Sequence, residues 1–561
     1  MIILGLSCFY HDAAACILKD GELIAACQEE RFSRIKHDWR FPESSIAYCL
    51  REANVSIDEV DAVAFYEKPL LKFERVLETF LAVAPRGIRA FVDVMPSWLQ
   101  QKFWLPHILK KKIGYDGTCL YFPHHVSHAA SAYFLSPFDA AAILTIDGVG
   151  EWATASYGIG RGSKIDLTHE MLFPNSIGLL YSTVTAYLGF SVNNDEYKVM
   201  GMAPYGKPDH AGAMLKHLCS LKQDGSIQLN MKYFNFQYGR TMYDRRQFQR
   251  LFGMLPRKRG EEITAQHYAI AASIQQVTEA AVIAMAKHVR LQTGMKNLCL
   301  AGGVALNSVA NGKLLRERLF DDIFVQPAAG DAGGAVGAAY AAYHHVMNRK
   351  DRHPLRNLYL GPAYNDGEIQ AVLERHEVHA LKLEDEKLFE AAAAKIADGK
   401  IVGWHRGRME FGPRALGNRS IFADPRRPDM KDLINSKVKF RESFRPFAPA
   451  VKAEKAGHYF QTDRPSPFML FTVPVLSDAI PAVTHVDGSA RVQTVDSGQN
   501  PDLYALLTAF ERITGVPVLL NTSLNVRGEP IALTPADAVG CLAGSGMDVL
   551  VLGNYLCYKE R

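Results

Sequence analysis

The chain has 561 residues, 48% of them hydrophobic, with 63 Lys and Arg against 59 Asp and Glu and a formal net charge of +4. That length and composition support ample buried core and predict two to four domains. Charge this balanced, with no long basic stripe or reader motif, argues against a nucleic-acid surface. No run of about 18 apolar residues is seen, and MIILGLSCFY has no basic segment before it meets His11 and Asp12. Neither a membrane span nor a signal peptide is therefore expected. Nine scattered cysteines without a CxxC pair exclude a disulfide framework or zinc ribbon and point to a reducing cytoplasm.

In chain order, IILGLSCF, ACILKDG and ELIAACQEE read as a short antiparallel meander. Residues 66–113 are helical, aromatic and basic, either a lid over an acceptor pocket or an amphipathic packing layer. The run PHHVSHAASAYF follows, in which His124 and His128 lie one helical turn apart and can present both imidazoles to one metal ion. AAILTIDGVGEWATASYGIG repeats the opening device of apolar strand, acidic glycine turn and second strand, which predicts two similar halves facing one cleft. It supplies Asp147 and Gly148.

A long helix is predicted over about 263–292, leading into KNLCLAGGVALNSVANGKLL, where a strand ends at Gly302 and Gly303 and a helix begins. Such a turn makes an anion or nucleotide site, because glycine lets backbone N–H groups approach and the helix dipole favours negative charge. A second glycine turn, GDAGGAVGAAYAAYHH, carries Gly330, Asp331 and Gly333 and again opens a helix. Carboxylates beside glycine turns, together with the histidine pair, suggest a nucleotide-plus-metal cleft.

The polar, proline-containing stretch over 345–356 marks a domain boundary, dividing the chain into 1–352 and 353–561. Beyond it come a helix at 386–399, the strand KIVGWHRG and a basic cassette. Between His405 and Arg445 there are 11 Lys and Arg against 5 Asp and Glu, a local charge of +6. An anionic ligand explains this better than a nucleic-acid face. Downstream, PVLLNTSLNVRGEPI runs a strand into Asn521, Ser523, Asn525 and Arg527, donors suited to a phosphate or carboxylate-like group. Two other chemistries are disfavoured: His125 stands where a zinc peptidase needs Glu, and no GxxxxGK[ST] loop exists.

Taken in order, HDAAACIL, EERFSRIKHD, HHVSHAASAYF, EYKVMGMAPYG, LAGGVALNSVANG, EFGPRALGNRSI, RESFRPFAPAV and NTSLNVRGEPI resemble the O-carbamoyltransferase family that includes nodulation-factor, tobramycin and cephamycin carbamoyltransferases. The resemblance spans essentially the full chain. It implies an α/β protein with a duplicated N-terminal domain of the actin and hexokinase superfamily, close to the universal tRNA threonylcarbamoyl-transfer protein, and a C-terminal YrdC-like domain. It also implies ATP, carbamoyl phosphate and a small-molecule hydroxyl acceptor as partners: carbamoyl-adenylate is made in the second domain and its carbamoyl group transferred in the first. A tRNA threonylcarbamoyl-type transferase and a nucleotide-gated binding module are the alternatives, and a homodimer is left open.

On this reading His124, His128, Asp147 and Asp331 hold a divalent metal, iron by family expectation, and Mg²⁺ accompanies ATP. Gly148, Gly302, Gly303, Asn307, Gly330 and Gly333 meet the nucleotide. Arg414, Arg419, Lys437, Lys439, Arg441, Arg445, Asn521, Ser523, Asn525 and Arg527 bind carbamoyl phosphate. An acceptor hydroxyl needs help to lose its proton, and His11 beside Asp12 is the expected base. Glu196, Tyr197 and Lys198 receive no role. Glu29, Glu30 and Arg31 are read as an ion-pair network in preference to an acceptor-pocket wall.

Overall fold

A computed structural model describes residues 1–559. The chain divides into two compact units: Met1–Glu29 with His37–Leu355, and Arg356 onward with the short segment Glu30–Lys36. No linear boundary describes this excursion.

The first unit contains two five-stranded sheets with the same plan. One runs Glu22–Gln28, Ala14–Lys19, Ile2–Ser7, Ala62–Phe65, Thr118–Tyr121; the other runs Lys164–Leu172, Ala153–Arg161, Ala140–Ile146, Asn297–Ala301, Asp322–Val325. In each, three strands form an antiparallel meander and two more add in parallel to its first strand. This is the duplicated α/β layout expected of the actin and hexokinase superfamily. Alternation of short apolar strands with glycine turns is what makes the repeat possible.

Two helices are drawn together by small residues. Helix Asp331–Ala341 packs on helix His124–Tyr133 so closely that a Cβ on Gly337 would stand 1.7 Å from the Ser127 carbonyl, and one on Gly334 would stand 2.8 Å from Tyr66. The sequence AGGAVGAA is thus a packing surface, and it sets the first turns of the two helices side by side.

Helix Ala265–Thr293 starts at a Thr264–His267 capping box and ends at Gly294, φ 64°. By length and composition it alone among the described helices could cross a membrane, but 72% of its most apolar window is buried inside the protein. It is a core helix. The predicted insertion consists of helices Pro69–Val83, Ile88–Gln100 and Leu105–Ile113. Its Lys72 and Lys102 are buried beside Glu67 and lie over the Tyr10 ring at 4.2 and 5.5 Å.

The second unit is built on an eight-stranded mixed sheet. In one half of it Arg419–Ala423 pairs with Val518–Ser523, which pairs in turn with Ala448–Lys452, itself flanked by the edge strand Gln493–Val495. Its core includes Trp404, Phe422, Leu519 and Phe510. The segment Glu30–Lys36 belongs here: Phe32 packs on Met409, Ala415, Ile531 and Leu533. Arg31 donates to the Gly412 carbonyl at 2.8 Å, and Arg34 to those of Ile531 and Pro530 at 2.7 and 2.9 Å.

Candidate functional site

In the first unit, four predicted residues converge. His124 opens its helix and His128 sits one turn on; Asp147 follows strand Ala140–Ile146; Asp331 opens the neighbouring helix, where its charge suits the helix N-terminus. His124 Nε2 lies 3.0 Å from His128 Nε2, 3.1 Å from Asp147 Oδ2 and 3.7 Å from Asp331 Oδ1. His128 Nε2 lies 3.8 and 3.9 Å from the same two carboxylate oxygens. Four donor atoms so spaced match ligands about 2.1 Å from one shared ion. Both histidines are 1% exposed, so no bulk water screens the cluster.

The donor chemistry fits a divalent cation. Nδ1 of each histidine and Oδ2 of Asp331 are buried without a hydrogen-bond partner. Burial lowers the His124 pKa, but Asp147 and Asp331 overcome this and lift it to about 9. Burial and the Asp147 charge raise Asp331, against the pull of His124. The His124 and His128 Nε2 atoms face one another beside two carboxylates, an arrangement that calls for positive charge between them. His125 is apart: its Nδ1 bonds Thr145 Oγ1 at 2.7 Å, and burial, with the two neighbouring histidines, holds its pKa down at about 3.

Around these ligands the sequence reading missed Glu151, which accepts the His124 main-chain N–H at 3.1 and 3.0 Å and that of Lys68 at 2.7 Å. The TIDGVGE turn contained the signal. Gly150 also matters, because a Cβ there would fall 2.9 Å from the His124 Cβ.

The glycine turns separate into different jobs. Gly303 donates to Asp147 Oδ1 at 2.8 Å; Gly302 holds φ 88°, where a Cβ would meet the Ile146 carbonyl at 2.3 Å. Gly148 and Gly330 face open space, with at most one atom within 4 Å of an added Cβ. Gly333 differs from expectation: a Cβ would strike the Ala328 carbonyl at 2.1 Å, so its smallness serves packing. Asn307 is also occupied. It caps helix Ser308–Arg316 through Ala310 N and exchanges two hydrogen bonds with Gln275, at 2.9 and 3.1 Å.

His11 and Asp12 form a tight pair, His11 Nδ1 to Asp12 Oδ2 at 2.9 Å, while His11 Nε2 meets the Asn193 carbonyl at 2.5 Å. Burial lowers the His11 pKa, but Asp12 dominates and lifts it to about 10. As held here, His11 Nε2 must donate to the Asn193 carbonyl and its Nδ1 faces the Asp12 carboxylate, so both ring nitrogens are engaged. His37, unassigned from sequence, joins the same carboxylate at 2.7 Å.

Glu196 accepts from Ser182 Oγ at 2.7 Å and from Asn193 N at 2.8 Å, and Lys198 pairs with Asp195 at 3.0 Å, so the EYK block fixes the 193–195 turn. Glu29 caps helix Glu43–Glu52 through Ser44 and Ser45 at 3.1 and 2.8 Å, and Arg31 pairs with Glu30 at 3.0 Å. Both roles are structural.

In the second unit, Arg414, Arg441 and Arg445 share a neighbourhood with Arg491, which the sequence reading missed. Burial, then Arg414, Arg441 and Arg445, push the Arg491 pKa well below the usual guanidinium range. Nε of both Arg414 and Arg491 is buried without a hydrogen-bond partner. Glu442 lies 3.9 Å from Arg445 at the edge of this group. Four cations so placed are complementary to a dianion.

Other predicted donors are committed elsewhere. Arg419 is fully buried and donates to the carbonyls of Arg406, Gly407, Asn418 and Pro362 at 2.9 to 3.3 Å, so its guanidinium braces the fold. Lys439 Nζ donates to Asn525 Oδ1 at 2.7 Å and to Ser523, so it shapes the 521–525 turn from within. Ser523 Oγ also donates to Asn525 Oδ1, at 2.7 Å. Asn521 donates to Gln493 Oε1 at 2.7 Å and keeps a buried, unpartnered Oδ1. Lys437 and Arg527 are exposed, the latter reaching the Phe440 carbonyl at 3.2 Å.

Fold and site together define a two-unit α/β transferase with a buried His₂Asp₂ cluster and a separate guanidinium cluster. Models of the carbamoyltransferase N-terminus and the carbamoyltransferase C-terminus match residues 2–340 and 393–559, and the chain belongs to this carbamoyltransferase family. It is 50% identical to the uncharacterized protein sll1178 of Synechocystis, over 99% of this chain and 96% of that one. It is 39% identical to the nodulation protein NolNO of Sinorhizobium fredii, over 98% and 79%, and 30% identical to nodulation protein U of Rhizobium tropici, over 98% and 95%. Among solved structures, a ROK hexokinase from Thermus thermophilus matches at a TM-score of 0.30 and 16% identity, over 62% of this chain and 100% of that one. The duplicated strand order, not this likeness, establishes the fold.

Proposed function

We propose that the protein is an ATP-dependent O-carbamoyltransferase that makes carbamoyl-adenylate in its second unit and carbamoylates a small-molecule hydroxyl in its first. The observation that carries this is the presence of two different centres, a cation-seeking His₂Asp₂ set and an anion-seeking arginine cluster. A nucleotide switch has no use for the second.

Carbamoyl phosphate is a small dianion, and Arg414, Arg441, Arg445 and Arg491 would hold its phosphate while the Lys439-braced turn offers Ser523 and Asn525 beside it. Adenylation exchanges its phosphoryl group for the adenylyl group of ATP: inorganic phosphate and pyrophosphate leave, with one water consumed. In the transfer half, the acceptor oxygen bonds to the carbamoyl carbon, the bond to the AMP oxygen breaks, and the hydroxyl proton must be taken up. The neighbourhood of His11 and Asp12 is assigned to that activation.

His124, His128, Asp147 and Asp331 would hold a divalent ion, whose chemistry is charge neutralisation at phosphate. Gly303 fixes the orientation of Asp147 for it. The open backbone at Gly148 and Gly330 leaves room for a phosphate to approach.

The test is incubation of purified protein with ATP and carbamoyl phosphate, with and without hydroxyl acceptors and across a panel of metals. Release of pyrophosphate that requires carbamoyl phosphate is expected. Absence of any nucleotide turnover under all these conditions would sink the proposal.

A further inference from the structure

Two histidine side chains outside the His₂Asp₂ cluster meet at one carboxylate. Asp12 Oδ2 faces His11 Nδ1 at 2.9 Å, and its Oδ1 faces His37 Nδ1 at 2.7 Å. The rings lie face to face, 4.9 Å between centroids and 28° between planes. The far nitrogens are both taken: His11 Nε2 by the Asn193 main-chain carbonyl at 2.5 Å, His37 Nε2 by Asn194 Oδ1 at 2.7 Å.

Counting hydrogens in this arrangement leaves a choice. A main-chain carbonyl only accepts, so His11 Nε2 must carry a hydrogen, and the Asn194 amide oxygen asks the same of His37. With Nε2 protonated, a neutral imidazole turns a lone pair from Nδ1 toward the carboxylate. Two acceptors 2.7 or 2.9 Å apart need positive charge between them. Either both rings carry a second proton, stacking two like cations 4.9 Å apart on one carboxylate, or one divalent ion replaces both protons and leaves the rings neutral.

We propose that His11, Asp12 and His37 form a second metal site, binding a divalent first-row transition ion through the two Nδ1 atoms and the Asp12 carboxylate. Two imidazoles and one carboxylate are the donors such ions take. The Nε2 bonds to Asn193 and Asn194 are the outer contacts that fix the tautomer and ring orientation of metal-bound histidine. Those contacts are themselves braced, because Glu196 accepts the Asn193 N–H at 2.8 Å. The donor atoms lie within 4.8 Å of one another, compatible with one ion. Asp12, His11 and His37 are 18%, 22% and 27% exposed, so solvent reaches this site, unlike the His124 cluster. An ion here would have open positions where a hydroxyl can bind and become more acidic. That last consequence rests on the proposed transfer reaction; the binding site rests on geometry alone.

The test strips the full-length protein with chelator, reloads it with excess Co²⁺, removes unbound ion and measures metal per chain, for wild type, His37→Ala, His37→Gln and His128→Ala. Wild type is expected to hold two equivalents, one of them released much faster by a mild chelator. Both His37 variants are expected to hold one, the slow one, and His128→Ala to keep the fast one. His37→Gln can still donate to Asp12, so a folded His37→Gln protein, checked by its melting curve, guards against loss through misfolding. A wild-type protein holding one equivalent that both His37 variants retain would overturn the second site. Retention of two equivalents in folded His37→Gln and His37→Ala would do so as well. One equivalent lost with His37 but kept in His128→Ala would support the second site while removing the first, so the two readings fail separately.

Discussion

Gly303 donates its main-chain N–H to Oδ1 of Asp147 at 2.8 Å, while Oδ2 of the same carboxylate faces His124 Nε2 at 3.1 Å. The glycine turn and the His₂Asp₂ cluster are therefore joined through Asp147. The turn holds its shape only because Gly302 takes φ 88° with the Ile146 carbonyl 2.3 Å from where a Cβ would stand.

Gly302→Ala is accordingly expected to cost about 1 to 3 kcal/mol of stability, from left-handed backbone and a clash with main chain that cannot swing away. It should also lower bound metal, since displacing Gly303 releases Asp147. Thermal unfolding and elemental analysis on one preparation read both effects. Full metal content in a destabilised variant would uncouple turn from ligand.

The three neighbouring histidines should part company on substitution. His124→Ala or His128→Ala is expected to lose the buried metal. His125→Ala should keep it, because that ring faces Thr145 Oγ1 and is held neutral by burial, and should cost about 1 to 3 kcal/mol through the lost hydrogen bond and the cavity left by a buried ring. Equal metal loss in all three variants would mean that the helix, not the two rings, makes the site.

Two arginines of the second unit should behave oppositely. Arg419→Met removes donors to four carbonyls in a fully buried place and is expected to cost about 3 kcal/mol or more, whatever ligand is present. Arg491→Ala removes one of four mutually repelling cations, so the unliganded protein should melt no lower than wild type. Wild type should gain stability when inorganic phosphate or carbamoyl phosphate is added, and Arg491→Ala should gain far less. Differential scanning with a phosphate series decides this; an undiminished shift in Arg491→Ala excludes that residue from the anion site.

The sequence made the alternating strands, the repeated half and the four convergent side chains legible, because each leaves a local mark: an apolar run, an acidic glycine turn, a four-residue histidine spacing. It did not distinguish Arg419 from Arg491. Both are arginines near polar motifs, and only the folded contacts show one donating to carbonyls and the other set among cations. Asn307 is ambiguous for a similar reason: an Asn before a helix reads equally as a ligand contact or a cap, and only the fold shows that it caps the helix and bonds Gln275, 32 residues upstream. Nor could any pattern show that Glu30–Lys36 folds with the second unit, since its partners lie some 400 to 500 positions away.

Acid stability should report the buried ion cluster of the helical insertion. Burial raises the Glu67 pKa, but Lys72 and Lys102 more than reverse this and bring it down to about 2 from an ordinary 4.5. A depressed carboxylate contributes stability that is fully present above its unfolded pKa and is lost as pH falls through its folded one, here between about pH 4.5 and 2. The amount is on the order of 3 kcal/mol at roughly 1.4 kcal/mol per pH unit. Glu67→Gln should flatten this part of the stability curve. It should also weaken the protein at neutral pH, where Lys72 and Lys102 would stay buried without their counter-ion. Lys102 already illustrates the strain, since burial lowers its pKa to about 8 even with Glu67 beside it. Urea midpoints of both proteins across pH 2 to 7 test the assignment: an unchanged acid slope in Glu67→Gln would show that other carboxylates govern it.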